Sequence, residues 1–211
     1  MNYKIINSGS DGNATVINDV ILIDCGVPFK KLKKDYLNLK IVLLTHIHLD
    51  HFKKRTITKL ASERPTLRFA CCEWLEQPLK DCSVENIDVL EIGKMYDYGL
   101  FQVSPFRLYH DVPQCGYRVY MNDKKLMYAT DTRTLEGIIA KDYDVYLIEG
   151  NYENDEELHE RAYNPEYESR VKATHLSKEQ ASKWLLENMK EESVYVFMHQ
   201  HKEKSYESKV K

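Results

Sequence analysis

Thr45-His46-Ile47-His48-Leu49-Asp50-His51 sets three imidazoles and a carboxylate within six residues of one another. The apolar, β-branched run Ile41-Val42-Leu43-Leu44 precedes them and reads as a buried strand, and Phe52-Lys53-Lys54 follows as the entry to a helix. A chain carrying this pattern must fold so that a strand and a helix hold the loop from both sides. On an extended segment His46 and His48 alternate onto one face, so both can address one ion. Asp50 and His51 lie past the bend and can serve a second ion beside it. Nitrogen and carboxylate donors of this kind suit zinc, with manganese or iron as alternatives. The competing explanation is a polar loop that is merely rich in histidine; it leaves unexplained why four ligand-type residues stand so close.

Four further polar residues close predicted strands. Asp24 ends Val20-Ile21-Leu22-Ile23, His110 follows Phe106-Arg107-Leu108-Tyr109, Asp131 follows Leu126-Met127-Tyr128-Ala129-Thr130, and His199 follows Val194-Tyr195-Val196-Phe197-Met198. Singly, each is explained as a turn former or a satisfied strand-edge group. Together with the 45–51 cluster they supply the roughly seven donors that a two-metal centre needs. His201 is the alternative to His199 if the strand register slips by two.

At 211 residues with a net charge of -3, the chain suits one soluble domain spanning 1–211. The mildly acidic balance argues against a broad nucleic-acid-binding surface. No apolar run reaches membrane-span length and the first residues lack a signal-peptide core, so no membrane association is expected. Five cysteines in no zinc-ribbon spacing read as free thiols of a reducing cytoplasm. Short strands are predicted over 3–7, 14–18, 20–24, 40–44, 67–71, 101–108, 117–121, 125–128, 145–148 and 194–198. Helices are predicted over 29–37, 53–63, 73–80, 135–140, 154–162 and 178–189, the last opening on a Ser177/Gln180 capping box. Strand-rich stretches interrupted by helices suggest two packed sheets with helices outside.

The Thr-His-x-His-x-Asp-His element at 45–51, with Asp24, His110, Asp131 and His199 in order and in strand context, resembles the metallo-β-lactamase fold superfamily over nearly the whole chain. The resemblance implies an α/β fold, an αββα sandwich of two mixed β-sheets flanked by helices. It implies that His46, His48 and His110 hold one metal, that Asp50, His51 and His199 hold a second, that Asp131 bridges them, and that Asp24 orients the histidine loop. Two divalent ions, zinc foremost, are the implied cofactor.

Several motifs favour the phosphodiesterase side of that superfamily. Asp131 stands where zinc β-lactamases carry cysteine, and too few residues follow His199 for the helical C-terminal domain of glyoxalase II. Ser8-Gly9-Ser10-Asp11-Gly12-Asn13-Ala14, His110 to Tyr117, Glu149-Gly150-Asn151 and His175-Leu176-Ser177 resemble segments of YycJ-type proteins, and ribonuclease Z has comparable Glu and His positions. Arg133 departs from the usual Thr-Asp-Thr-Gly, and Gln200-His201-Lys202 from the usual continuation. The expectation is a dinuclear metal-dependent hydrolase that cleaves phosphodiester bonds in nucleic acid ends or small, including cyclic, nucleotides through a metal-bridging hydroxide. Asp50, His175 and Glu149 are the expected catalytic residues, with His175 as general acid held by Glu149. Nucleotide or nucleic acid is the expected partner, and a homodimer is compatible. A thioester or lactone hydrolase of glyoxalase II type, or a metal-stabilised binding protein, are the alternatives. Lys30-Lys31-Leu32-Lys33-Lys34 and Lys53-Lys54-Arg55 are either phosphate collectors or solvated faces, and Tyr109, Tyr117 and Tyr152 are either base-stacking groups or sheet-edge packing.

Overall fold

A computed structural model describes residues 1–200, and His201 lies outside the described residues. Two six-stranded sheets are stacked face to face. The first takes β1 (Tyr3–Asn7), β2 (Ala14–Ile17), β3 (Ile21–Ile23), β4 (Ile41–Leu44), β5 (Arg68–Cys72) and β6 (Ile87–Leu90) in sequential order. Its first two pairings are antiparallel and the remaining three parallel, with Leu22 opposite Val42. The second sheet takes β7 (Tyr96–Asp97), β8 (Gln102–Arg107), β9 (Cys115–Met121), β10 (Lys124–Ala129), β11 (Val145–Glu149) and β12 (Val194–Met198), antiparallel up to β10 and parallel beyond it. The expected αββα sandwich of two mixed sheets flanked by helices is the fold observed.

Side-chain alternation divides the apolar residues among three layers. Ile21, Ile23, Ile41 and Leu43 from the first sheet meet Tyr117, Val119, Leu126, Tyr128 and Leu147 from the second, closing the space between the sheets. On the outer face of the first sheet, Leu22, Val42, Leu44 and Phe69 pack against Ile57 and Leu60 of α1 (Lys54–Glu63) and Leu79 of α2 (Glu76–Lys80). On the outer face of the second, Met127, Tyr146 and Ile148 pack against Ala181 and Leu185 of α5 (Lys178–Asn188). Covering on both faces explains why the central parallel strands read as unbroken apolar runs. The β2–β3 and β9–β10 hairpins turn on Asn18-Asp19 and Asn122-Asp123, all four in the left-handed region, as the inverse-twist hairpin turn requires.

Three helix expectations are corrected. Residues 29–37 form two separate 3-10 turns, Phe29–Leu32 and Asp35–Leu37, because Lys33 takes φ 50° and Pro28 offers no capping side chain. Residues 135–140 form an irregular loop around Gly137, whose φ is 75°. A helix absent from the expectation, α4 (Pro165–Thr174), follows α3 (Asp155–Arg161) and is capped by the Asn164 side chain on Tyr167 N–H.

Strand direction decides where the site forms. Parallel β3 and β4 deliver Asp24 and the 45–51 loop at one edge of the first sheet. In the second sheet β10, β11 and β12 run parallel, and β8, twice antiparallel-paired back to β10, shares their direction. Their C-terminal ends therefore present Asp131, Glu149, His199 and His110 together.

Candidate metal centre

The seven sequence-derived ligands gather in two groups at this edge. One donor atom from each of His46, His48 and His110 lies within 4.8 Å of the others, and the same holds for Asp50, His51, Asp131 and His199. The His46 and His51 rings, one from each group, have centroids 4.2 Å apart. A third overlapping group joins Asp131, Glu149, His175 and His199. Three of the strand-closing residues, Asp24, Asp131 and His199, turn the backbone in the left-handed region (φ 61°, 56° and 50°). Asp tolerates that conformation better than a β-branched residue would.

Hydrogen bonds fix which ring nitrogens are bare. Asp24, fully buried, accepts from Thr45 N–H (3.0 Å) and Thr45 Oγ1 (2.9 Å) on one oxygen, and from His51 Nδ1 (2.7 Å) and Tyr128 OH (3.3 Å) on the other. Thr45 Oγ1, its hydrogen committed to Asp24, accepts from His46 Nδ1 at 3.0 Å. The Thr174 carbonyl accepts from His110 Nδ1 at 3.0 Å. Each contact takes the Nδ1 proton and leaves Nε2 of His46, His51 and His110 as the inward-facing atom. Asn13 braces the loop, accepting from Gly9 N–H (2.8 Å) and approaching His51 Nε2 (2.8 Å) and Asp50 Oδ2 (3.3 Å) with its amide. Gly26 lets this loop dock: a Cβ there would stand 1.6 Å from the Asp50 carbonyl oxygen.

Of the seven buried side-chain atoms left without hydrogen bonds among the described residues, two belong to the candidate ligands, His46 Nε2 and Asp131 Oδ2. Asp131 Oδ2 comes within 2.9 Å of His51 Nε2 without hydrogen-bond alignment. An orphaned imidazole nitrogen and an orphaned carboxylate oxygen, both aimed inward, are what a cation would satisfy. The charge balance agrees. Burial disfavours the cationic form of His51, yet the neighbouring Asp131 and Asp24 carboxylates overcome it and hold its pKa raised to about 10. Burial likewise opposes the His199 cation, and Asp131, Asp50 and Glu149 push its pKa up regardless. Burial, reinforced by His51, depresses His46 well below the usual range, and burial also depresses His110. Burial thus favours the neutral imidazole at His46 and His110 of the first group, while the carboxylates of the second favour positive charge on His51 and His199. Nitrogen donors on one side and mixed donors on the other fit two divalent ions of the zinc class.

Beside the second group, Glu149 is fully buried at the end of β11. Its Oε1 accepts from His175 Nδ1 at 2.7 Å, and its Oε2 from Thr132 N–H at 2.7 Å and Leu176 N–H at 3.3 Å. Burial opposes its ionisation, but His175 holds its pKa below the usual carboxylate range, and Glu149 in turn raises His175 against burial. Asn151 donates to the His199 carbonyl at 2.9 Å. The cleft over these residues, about 370 Å³, is lined further by Ser10, Asp111, Tyr167, Arg170 and Thr174.

Sequence reading had not assigned a role to Asn13, Asp111, Tyr167 or Arg170. Asp111 Oδ1 stands 3.1 Å from His110 Nε2 and 3.3 Å from His48 Nε2; its signals were adjacency to His110 and its place in the 110–117 segment of the family resemblance. The base-stacking option fails for two of its three tyrosines. Tyr117 is buried between the sheets with its hydroxyl on the Leu44 carbonyl (2.7 Å), and Tyr152 is buried in a small cluster with Leu158 and Val171. Tyr109 is exposed and faces the Arg133 guanidinium, 5.8 Å from its ring centroid. No residue of the two lysine-rich stretches lines the cleft. Among the described residues no helix is long and apolar enough to cross a membrane, and all five cysteines are buried thiols.

Comparison with known proteins agrees with this fold. Solved structures share the fold at low identity. The metallo-β-lactamase fold protein YhfI from Bacillus subtilis superposes with a TM-score of 0.72 at 16% identity, over 94% of this chain and 85% of its own. The short form of human tRNase Z gives 0.71 at 16% identity, over 96% and 93%. Zinc-bound PqqB from Methylobacterium extorquens gives 0.69 at 13%, over 95% and 89%. No curated protein matches in sequence. The profile of the beta-lactamase superfamily domain matches residues 20–199, and the chain therefore belongs to that family, built on the metallo-β-lactamase fold.

Proposed function

We propose that the protein is a two-metal phosphodiesterase, its single domain acting on nucleic acid ends or small nucleotides, cyclic ones included. The observation that carries this is Asp131, buried between the two histidine groups with Oδ2 unpartnered 2.9 Å from His51 Nε2 and Oδ1 3.4 Å from His199 Nε2. His46, His48 and His110 would hold one ion, Asp50, His51 and His199 the other, and Asp131 both. Such a pair supplies Lewis acidity toward a phosphoryl oxygen and brings the pKa of water toward neutrality.

The remaining work falls to the chain. His175 commits Nδ1–H to Glu149 at 2.7 Å, so its Nε2 is the atom free to carry a proton to the departing alkoxide. Burial opposes the protonated form, but Glu149 outweighs it and raises the His175 pKa, which favours keeping that proton. Glu149 also anchors Thr132 N–H, fixing the turn that carries Asp131. Asp50 joins His199 Nε2 at 3.2 Å and aligns the second group. The likeness to a tRNase Z favours phosphodiester over thioester substrates. A cytoplasmic setting, and a homodimer as one assembly compatible with the chain, belong to the same proposal.

The test is hydrolysis of bis(p-nitrophenyl) phosphate by protein loaded with zinc or manganese, beside an acyl thioester and a lactone. Turnover of the phosphodiester alone supports the proposal. Turnover of the thioester or lactone alone would replace it with the glyoxalase II-type alternative. Cleavage of cyclic mononucleotides but not single-stranded oligonucleotides would narrow the substrate class.

A further inference from the structure

The cleft wall formed by α4 has no counterpart in the metal-binding motifs. Arg170 is the one Lys or Arg lining the cleft among the described residues, and the other charged lining groups are Asp50, Asp111 and Asp131 beside the histidines. Its guanidinium carbon sits 5.6 Å from the centroid of the Tyr167 ring. Tyr163 lies against the same tyrosine, with centroids 4.8 Å apart, and Arg161 Nη1 donates to its hydroxyl at 3.4 Å. Tyr167 is therefore held by Tyr163 and Arg161 and serves as a platform for Arg170. Arg161 is occupied by Glu157 at 2.8 Å. No described carboxylate pairs with Arg170, so its planar fork of donors is open to a ligand.

Arg170 is also tied to the metal centre through one helical turn. Thr174 Oγ1 donates to the Arg170 carbonyl at 2.8 Å, and the Thr174 carbonyl accepts from His110 Nδ1 at 3.0 Å. Arg170 and the candidate ligands thus line one cleft, with Arg170 on its α4 wall.

We propose that Arg170, presented on Tyr167, is a receptor for a second phosphate of the substrate, adjacent to the one being cleaved. This rests on the phosphodiesterase proposal and deepens it. A cyclic mononucleotide carries one phosphate and leaves Arg170 idle; a linear nucleotide with a neighbouring phosphate engages it. The preferred substrate class is then a nucleotide chain or end bearing at least two phosphates. A guanidinium–phosphate fork contributes discrimination of about tenfold or more.

Calorimetric binding to the zinc-loaded protein tests this, comparing thymidine 3′,5′-bisphosphate with the 3′- and 5′-monophosphates. Wild type is expected to favour the bisphosphate by about tenfold or more. Arg170→Ala should erase that preference, and Arg170→Lys should keep only part of it, since charge remains but the fork is lost. The side chain is exposed and outside the sandwich core, so circular dichroism of both variants should match wild type. Equal affinity for mono- and bisphosphate in wild type, or an undiminished preference in Arg170→Ala, would overturn the assignment. An Arg170-dependent preference in a protein that fails to cleave bis(p-nitrophenyl) phosphate would keep the receptor and remove the hydrolase. Cleavage without the preference would do the reverse.

Discussion

Asp24→Asn isolates what the buried carboxylate beneath the histidine loop contributes. Asp24 Oδ1 serves both Thr45 donors, at 3.0 and 2.9 Å, and Oδ2 serves His51 Nδ1 at 2.7 Å and Tyr128 OH at 3.3 Å. An asparagine retains only one acceptor. If its oxygen turned to His51, the buried Thr45 N–H would be orphaned, at about 1–3 kcal/mol. Keeping the oxygen on Thr45 sets the amide against His51 Nδ1, which relieves the clash by moving its proton to Nε2. That change of tautomer is the cheaper course, and it removes the lone pair aimed at Asp131 and Asp50. Loss of such a supporting partner costs about 10- to 100-fold in metal affinity, or about 1.4–2.7 kcal/mol. In zinc buffers the variant should retain the ion held by His46, His48 and His110, while its second ion requires that much more free zinc. Elemental analysis across the buffer series gives the shift, and 15N spectra of the imidazoles report where the His51 proton sits. A variant that loads both ions at the wild-type zinc concentration, with His51 still protonated on Nδ1, would refute the reasoning.

Gly26→Ala forces a Cβ into the Asp50 backbone, 1.6 Å from its oxygen and 2.1 Å from its carbon; urea unfolding should show a loss of about 3 kcal/mol or more, and wild-type stability would contradict the docking described. Glu149→Gln removes the charge that raises His175, so the alkaline limb of the kcat profile should move to lower pH, with kcat down by about 100-fold; an unmoved limb would remove His175 as the acid. Asp144 accepts from Lys124 and Lys190, both at 2.9 Å, and from Lys125 N–H at 2.8 Å. Burial opposes ionisation of Asp144, but these donors depress its pKa below the ordinary value, so its contribution is present above the unfolded value of about 3.9 and fades as pH falls through the folded one. Asp144→Asn should therefore cost about 1 kcal/mol at pH 7, discounted because its lysine partners are partly exposed, and progressively less in acid. A difference that persists unchanged with pH in thermal melts would assign the effect to packing.

Much of this architecture was legible where local pattern and tertiary context agree. The apolar runs of β4, β10 and β11 read as buried strands because both faces of each are largely covered, the half-exposed β12 read as a strand from its β-branched and aromatic residues, and the candidate ligands fall where those runs stop. The α4 wall was not legible for a physical reason. Pro165-Glu166-Tyr167-Glu168-Ser169-Arg170-Val171-Lys172-Ala173-Thr174 buries only Val171 and Thr174, so it has no apolar stripe to register a helical period. Asn164 followed by Pro165, an N-cap before a first-turn proline, was the signal available. Arg170 and Tyr167 went unassigned with it. The opposite error arose at 29–37, where a lysine-rich stretch suggested a helix that the left-handed Lys33 interrupts. Tyrosine was ambiguous for another reason: the residue type is the same whether it stacks on a base or, like Tyr117, fills the space between sheets.

Backbone sense at the strand ends is harder to read than residue type, and here it governs the chemistry. Asp24, Asp131 and His199 each adopt a left-handed conformation that costs an L-residue about 1–2 kcal/mol. Each is held there by neighbours distant in sequence. Four donors converge on the Asp24 carboxylate. Gln114 donates to the Asp131 carbonyl and, at 3.1 Å, to that of Thr130. Ser8 Oγ accepts from the His199 N–H at 2.7 Å while Asn151 takes its carbonyl. The sharp reversals swing side chains off the ends of separate strands into one small volume, where continued extended strands would alternate them toward the two faces. Residues such as Ser8, Asn13, Gln114 and Asn151, none of them a candidate ligand, therefore shape the candidate metal centre by stabilising the turns and loop that carry its donors. Local strain collected at the point where donors must converge, and offset from outside the turn, is the form in which a rigid sandwich holds seven side chains in a geometry none of their own segments would choose.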